Sequence, residues 1–178
     1  MAESARRRVT LTGPESTGKT ELARRLSKEL GIPWTPEYAR EYAVERGNLL
    51  TANDVEPIAR GQIVSLDALS EVSVIHDTDL LSTVVYARHY YGSCPAWIET
   101  EAWARRADLY LLLDTDVPWI PDPARDAGGD VREDLFDAFR AALDEFETRW
   151  VVVSGDWEKR YAVARRWIVA PRRRDATG

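Results

Sequence analysis

Cysteine is almost missing: Cys94 is the single one in 178 residues, so no disulfide can form within the chain. No Cys or His stands beside it at metal-ligand spacing, and a zinc site is not expected. Histidine is limited to His76 and His89, and lysine to Lys19, Lys28 and Lys159. No run approaches the roughly 18 consecutive apolar residues that a membrane span needs, and Met1 to Thr10 lacks the apolar stretch of a signal peptide. A cytoplasmic protein without a membrane partner is therefore expected. Basic charge is also in deficit, with 24 Lys and Arg against 30 Asp and Glu for a net charge of −6. That balance argues against a nucleic-acid partner, while local basic clusters can still hold one or two phosphates. No internal repeat and no Asn-Lys-x-Asp guanine motif is present.

What is there suits an ordinary globular protein: 44 % of residues are apolar and 30 % charged. The length fits one domain, expected over 1–178 with its core at about 8–169 and solvated tails at 1–7 and 171–178.

Five β-prone runs stand out, Arg8 to Thr12, Ile32 to Thr35, Ser73 to Ile75, Leu109 to Leu113 and Trp150 to Val153. Helical patterns separate them: Glu21 to Leu30, Glu37 to about Arg46, a long amphipathic stretch from Val55 to Val72 behind an N-cap at Asn53, Asp79 to Tyr91, Pro95 to Arg106, Val131 to Thr148 and Asp156 to Ile168. Strands alternating with helices predict an α/β fold with a parallel sheet covered on both faces, its ligands at the carboxyl ends of the strands.

The most specific motif is Gly13-Pro14-Glu15-Ser16-Thr17-Gly18-Lys19-Thr20, a complete G-x-x-x-x-G-K-[ST] between a predicted strand and a predicted helix. Such a loop turns backbone N–H groups onto the phosphates of ATP, and the following helix adds its positive end. The motif's lysine, Lys19, is expected to reach the β- and γ-phosphates, and the Thr20 hydroxyl to ligate Mg²⁺. One of only three lysines falling in that slot sharpens the assignment. The plain alternative is a glycine-rich turn.

Such a site needs a carboxylate for the metal at the end of a neighbouring strand. Asp77, in His76-Asp77-Thr78-Asp79, is the first choice and Asp114 the second; either could instead be a helix N-cap. Phosphoryl transfer also needs positive charge on the transferring group. Arg125 and Arg132 bracket a glycine-containing loop, so a lid over about 117–132 is expected to bring them in and exclude water. For Arg132 the competing reading is an arginine on a helix surface, paired with an acid.

These residues, with Pro36-Glu37-Tyr38-Ala39-Arg40-Glu41-Tyr42, Ile58-Ala59-Arg60-Gly61-Gln62, Asp77-Thr78-Asp79 and Pro118-Trp119, resemble the kinase domain of the NadR proteins, which phosphorylate nicotinamide riboside. The likeness runs from about Val9 to Val169. It implies a three-layer P-loop kinase fold, and ATP, Mg²⁺ and nicotinamide riboside as ligands. NadR proteins that also make dinucleotide carry a further domain with histidine-bearing motifs, so the resemblance implies a stand-alone kinase here. One departure is Asp122-Pro123-Ala124-Arg125, where the family has Asp-Gly ahead of the lid arginine.

Glu37, Tyr38, Arg40 and Tyr42 follow the second strand, whose carboxyl end faces the acceptor in an open α/β kinase. Carboxylates and arginine suit ribose hydroxyls, and aromatic faces suit a pyridinium ring. Glu37, Arg40 and Asp79 are candidate ribose ligands, with a surface pair between Glu37 and Arg40 as the alternative, and Trp119 is a candidate stacking residue. Asp79 is expected to accept the hydroxyl proton, with Glu37 in reserve. Gln62 either reaches the acceptor or is an ordinary polar residue. Trp157, opening the last helix, lies over either the adenine or the acceptor ring.

Overall fold

The computed structural model describes residues 6–69, 73–118 and 129–171. Trp119, Arg125, most of the segment expected as a lid and most of both expected tails lie outside the described residues.

Strands β1 (Arg8–Thr12), β2 (Trp34–Thr35), β3 (Val74–Asp77), β4 (Leu109–Leu113) and β5 (Trp150–Val153) form one sheet in the order β2-β3-β1-β4-β5. All four pairings are parallel. Helices α1 (Lys19–Leu30), α2 (Tyr38–Glu45), α3 (Val55–Asp67), α4 (Leu80–Tyr91), α5 (Ala96–Ala104), α6 (Gly129–Glu145) and α7 (Trp157–Val169) fill the connections, as the alternating pattern predicts. Strand order reverses around β1, the position where an open α/β sheet leaves a crevice at its carboxyl edge. Leu11 pairs with Asp77 of β3 and with Leu111 of β4. The chain therefore leaves all three central strands at one level, and Gly13, Thr78 and Asp114 emerge side by side.

Period-two alternation in β4 serves both faces of the sheet. Leu109, Leu111 and Leu113 pack with Leu22 and Leu26 of α1 and Ile168 of α7. Tyr110 and Leu112 point into a second core with Leu81 and Val84 of α4 and Phe139 of α6. Every residue of β4 is buried, which is why the strand reads as an unbroken apolar run.

Several boundaries differ from expectation for identifiable reasons. Strand β2 keeps only two residues because Pro33, lacking an N–H, contributes just its carbonyl, which accepts from Ile75 N–H at 3.0 Å. Strand β3 runs on to Asp77, with His76 inside it bonded through Nδ1 to Thr35 Oγ1 at 2.8 Å. Burial pushes His76 down to about 4, so it is a neutral member of the sheet. Asn53 is not the N-cap of the long helix. Thr51 starts a 3₁₀ turn over Ala52–Asp54, and the Asp54 carboxylate accepts from the Thr51 N–H at 2.9 Å in a capping box. Helix α3 then ends at Asp67 instead of reaching Val72. Arg7, expected in a solvated tail, is fixed: its guanidinium donates to the carbonyls of Ile168 and Ala170 at 2.6 and 2.8 Å. A cation there stabilises the carboxyl end of α7.

Candidate active site

The loop between β1 and α1 needs its glycines. Gly13 sits at φ +127°, and a Cβ there would fall 2.8 Å from the Leu113 carbonyl oxygen. Gly18 sits at φ +84°, and its Cβ would fall 2.1 Å from the Trp157 ring. The close approach that glycine allows is therefore used twice, against β4 and against α7. Lys19, at the start of α1, is buried and folds back so that Nζ donates to the carbonyls of Gly13 and Pro14 at 2.9 and 2.7 Å. Thr17 Oγ1 also donates to Pro14 O, at 2.9 Å. Ser16 adopts φ +54°.

Thr20 Oγ1 donates to Asp77 Oδ2 at 2.5 Å, so of the two carboxylates considered for a metal, Asp77 is the one joined to the loop threonine. Asp114 accepts from the N–H of Thr115, its own neighbour. A hydroxyl beside a carboxylate is an all-oxygen donor pair, the kind Mg²⁺ takes together with phosphate and water. Among the described residues no group of three or more His, Cys, Asp or Glu is placed to hold a metal by itself.

Between Asp77 and Asp79 the chain reverses at Thr78, a β-branched residue held at φ +69° whose N–H donates to Leu11 O at 3.0 Å. A β-branched side chain in the left-handed region is strained, and such strain collects at functional sites. The turn lets Asp77 face α1 while Asp79 caps α4 by accepting from Leu81 N–H at 3.0 Å. Asp79 Oδ2 also accepts from Tyr110 Oη at 2.6 Å and Thr10 Oγ1 at 3.2 Å. Burial pushes the Asp79 carboxyl up, opposed by those hydrogen bonds.

Arg132 is buried beside the loop and does not lie on a helix surface: its guanidinium donates to Val117 O at 3.2 Å and reaches Ser16 O at 3.5 Å. Burial and the neighbouring Arg160 push it below the ordinary arginine value, with Glu15 opposing. Arg160 of α7 is fully buried. It donates to the carbonyls of Gly155, Thr17 and Asp114 at 2.8, 3.0 and 3.0 Å and pairs with Asp116. One guanidinium thus ties the phosphate loop to the ends of β4 and β5.

Beside the loop lies a cavity of about 390 Å³, within the size range of small-molecule sites. Three carboxylates line it: Glu15 from the loop, Glu37 at the N-cap of α2 and Asp79. Its apolar wall includes Leu50, Val55, Ile58 and Ala87, and Tyr86, Tyr90 and Tyr91 of α4 supply aromatic rings. The amides of Asn48 and Gln62 reach it as well, and no lysine or arginine is among the described lining residues. Tyr38, Arg40 and Tyr42, expected on the acceptor side, are not in this wall. Tyr38 packs against Gly61, where a Cβ would fall 2.0 Å from its ring. Tyr42 donates to Asp54 Oδ1 at 2.9 Å, and Arg40 is exposed. Trp157 lies over Gly18, at the loop and away from the cavity wall.

A family model described as an AAA domain matches residues 8–160. The chain belongs to that AAA-domain family. The chain is also similar to the NadR proteins: it is 28 % identical over 165 residues to the trifunctional NAD biosynthesis/regulator protein NadR of Escherichia coli (strain K12), covering 87 % of this chain and 40 % of the relative. The chain thus spans about two fifths of that relative's length. Two crystal structures of NadR share its fold. One, in complex with NR, is 27 % identical with a TM-score of 0.73 and covers 89 % of this chain and 49 % of that one. The other, in complex with NAD and AMP-PNP, is 25 % identical with a TM-score of 0.70 and covers 96 % and 52 %. Thymidylate kinase from Ehrlichia chaffeensis, 14 % identical with a TM-score of 0.64 over 89 % of this chain and 96 % of that one, shares the fold alone. The fold of this AAA-domain chain is that of the P-loop kinases.

Three features of this AAA-domain chain escaped the sequence reading: Arg160, Tyr110 and the α4 tyrosines. Arg160 sits on the buried stripe Arg160, Ala164, Ile168 of α7; a charged residue at an apolar i, i+4, i+8 position was the available signal. Gln62, for which the sequence left open an acceptor contact or an ordinary polar role, occupies the same kind of buried position on α3, among Ile58, Ala59 and Leu66, and lines the cavity. Tyr110 looked like one more apolar strand residue, and only the sheet register brings it to Asp79. The α4 tyrosines were not singled out; Tyr86 and Tyr90, at i and i+4, stack with centroids 6.1 Å apart.

Proposed function

We propose that this chain is an ATP- and Mg²⁺-dependent kinase that transfers the γ-phosphoryl group to the 5′-hydroxyl of nicotinamide riboside, giving nicotinamide mononucleotide and ADP. The observation that carries this reading is that Glu15, a residue of the phosphate loop, lines the same cavity as Glu37, Asp79 and the α4 tyrosines. The phosphate end of the donor and the acceptor cavity therefore share a wall. Carboxylates and aromatic rings without a cation suit a ribose joined to a positively charged, flat ring. The likeness to NadR proteins solved with NR and with AMP-PNP supports both ligands.

In this mechanism the backbone from Gly13 to Gly18 and the side chains of Ser16 and Thr17 cradle the phosphates. Lys19 exchanges its two carbonyl contacts for phosphate oxygens. Thr20 and Asp77 would hold Mg²⁺, which neutralises phosphate charge when bound. Arg132, beside Ser16, adds positive charge near the transferring group, and Arg125 is assigned the same work. Trp157, over Gly18, belongs to the nucleotide side. The acceptor oxygen attacks the γ-phosphorus in line, the bond to the bridging β–γ oxygen breaks, and ADP leaves; positioning and electrostatics supply most of the rate. The hydroxyl proton passes to Asp79, whose burial makes it a stronger base than a surface carboxylate. Glu37, Arg40 and Trp119 are the further candidates for holding the acceptor, with Tyr38 and Tyr42 supporting α2.

The test is ADP release from ATP and Mg²⁺ with nicotinamide riboside, uridine, cytidine, adenosine, deoxynucleosides or no acceptor, with products identified by mass. Stimulation by nicotinamide riboside with a product one phosphate heavier is expected. Stimulation by another nucleoside alone would keep the kinase and discard this acceptor.

A further inference from the structure

Trp157 is 47 % exposed although the benzo end of its indole lies against the phosphate loop, where a Cβ on Gly18 would fall 2.1 Å from the ring. Its place is fixed from behind. Arg160, one turn further along α7, donates to Thr17 O at 3.0 Å and to Gly155 O at 2.8 Å, and Asp156 caps the helix by accepting from Lys159 N–H at 2.9 Å. In the strand order β2-β3-β1-β4-β5 the acceptor cavity lies on the β3 side of the loop, lined by Thr78, Asp79 and residues of α4, whereas α7 follows β5 on the other side. In-line transfer puts the leaving diphosphate opposite the attacking oxygen, so the nucleoside of the donor leaves the loop toward Trp157. The hydrogen-bonding groups of the turn beside the ring are already engaged: Gly155 N–H donates to Asp116 Oδ2 at 2.6 Å, Gly155 O accepts from Arg160, and the other Asp116 oxygen pairs with Arg160.

We propose that the phosphoryl donor is recognised by its triphosphate and by the flat face of its base stacked on Trp157, so that ATP and GTP serve alike. The proposal rests on the reading of the chain as a kinase and names the class of donor it takes. Adenine and guanine differ at the ring edge, where an amino donor in one is replaced by a carbonyl acceptor in the other. Large discrimination between them needs protein groups built to hydrogen-bond that edge, and at this turn the Gly155 N–H and the Asp116 carboxylate hold the loop together instead. Stacking uses the π-face that every base has, contributes about tenfold or more in affinity, and tolerates a change of base. Purines, with the larger face, gain more from it than pyrimidines.

The test compares kcat/KM for ATP, GTP and CTP, with nicotinamide riboside as acceptor, in the wild type, Trp157→Ala and Trp157→Phe, together with inhibition by inorganic tripolyphosphate, which has the phosphates and no base. In the wild type ATP and GTP should agree within about threefold and exceed CTP by about tenfold, the difference in stacking. Trp157→Ala should lower kcat/KM for both purine donors by about tenfold or more and bring them level with CTP, and Trp157→Phe should keep most of the purine preference. Inhibition by tripolyphosphate should change less than about twofold in either variant, because the loop itself is untouched. A wild-type preference above about thirtyfold for one purine, or an equal loss of all donors and of tripolyphosphate in Trp157→Ala, would overturn the proposal while leaving the kinase reading intact. Absence of turnover with every donor would instead sink the acceptor reading, and the same comparison is then decided by calorimetric affinities for non-hydrolysable ATP and GTP analogues in the wild type and Trp157→Ala.

Discussion

On the donor side, Lys19, Arg132 and Arg160 direct their N–H groups at backbone carbonyls of the phosphate loop and of the strand ends around it. On the acceptor side no described lysine or arginine lines the cavity; carboxylates, tyrosines and two amides do. The first region is a concentrated cationic collar for an anion, built on the positive ends of backbone and helix. The second is an anionic, partly apolar bowl lined by three carboxylates and the rings of α4. In the proposed function one charge sign would meet ATP and the other the acceptor, with Glu15, which belongs to the loop and lines the cavity, at the boundary. Damage to one side should therefore spare binding on the other.

The largest expected separation is at Lys19. Lys19→Ala should lower kcat about a thousandfold or more, since the loss of one preorganised donor in a charge-stabilising site alone costs two to three orders of magnitude. Calorimetric affinity for nicotinamide riboside should stay within about threefold of wild type. A variant retaining a tenth of the activity would remove Lys19 from the transfer. Next, Asp79→Asn should cut kcat by about a hundredfold or more while KM moves little. Asparagine keeps the cap to Leu81 N–H, but its NH2 cannot accept from Tyr110 Oη and Thr10 Oγ1, so the melting temperature should fall by several degrees, and a kcat loss that persists well below that melting temperature separates a proton acceptor from a purely structural group. An unchanged kcat would move the base to Glu37, and Glu37→Gln would then carry the loss.

Arg160 tests whether the collar is held from behind. Its partner Asp116 keeps a 38 % exposed side chain, so removing the guanidinium does not strand a buried anion. The cost is the lost charge-assisted bonds, about 2–3 kcal/mol. Arg160→Met should show that loss in denaturant unfolding together with weaker binding of a non-hydrolysable ATP analogue. Arg160→Lys should restore the charge without the forked geometry and recover only part of either. Wild-type nucleotide affinity in Arg160→Met would mean that the loop keeps its shape without the clamp.

The two sides also differed in how far they could be read in advance. The phosphate-loop motif lies in one octapeptide between a strand and a helix, so its residues and their order followed from local spacing, whereas Asp77 was only preferred over Asp114, and it is the fold that brings Asp77 to Thr20. The sheet was legible for the same reason, because strands buried on both faces are continuous apolar runs. The acceptor cavity draws on Glu15, Glu37, Asn48, Gln62 and Tyr86, which only tertiary packing gathers. Glu15, Glu37 and Asn48 come from a loop, a cap and a turn, Gln62 sits in a helical stripe that looks like core, and Glu37-Tyr38-Ala39-Arg40-Glu41-Tyr42 puts only Glu37 and Ala39 in the wall. Capping misled for a related reason: Asn53 has the right residue type, but Thr51 and Asp54 satisfy each other three residues apart.

The smallest expected effect bears on how the bowl is shaped. Gly61 lies inside α3, where glycine costs about 1 kcal/mol relative to alanine, so Gly61→Ala gains that much helix propensity. Against this, a Cβ at Gly61 would lie 2.0 Å from two atoms of the Tyr38 ring, and forced overpacking costs about 1–3 kcal/mol. The net should be a destabilisation of about 1 kcal/mol, with the ring of α2 pushed away from the helix that carries Gln62. A several-fold rise in KM for nicotinamide riboside with unchanged affinity for the ATP analogue is expected, and pairing it with Tyr38→Ala should remove most of the penalty. If Gly61→Ala instead weakens nucleotide and acceptor alike, the two sides are coupled through α2 and α3, and their independence fails where the local packing is tightest.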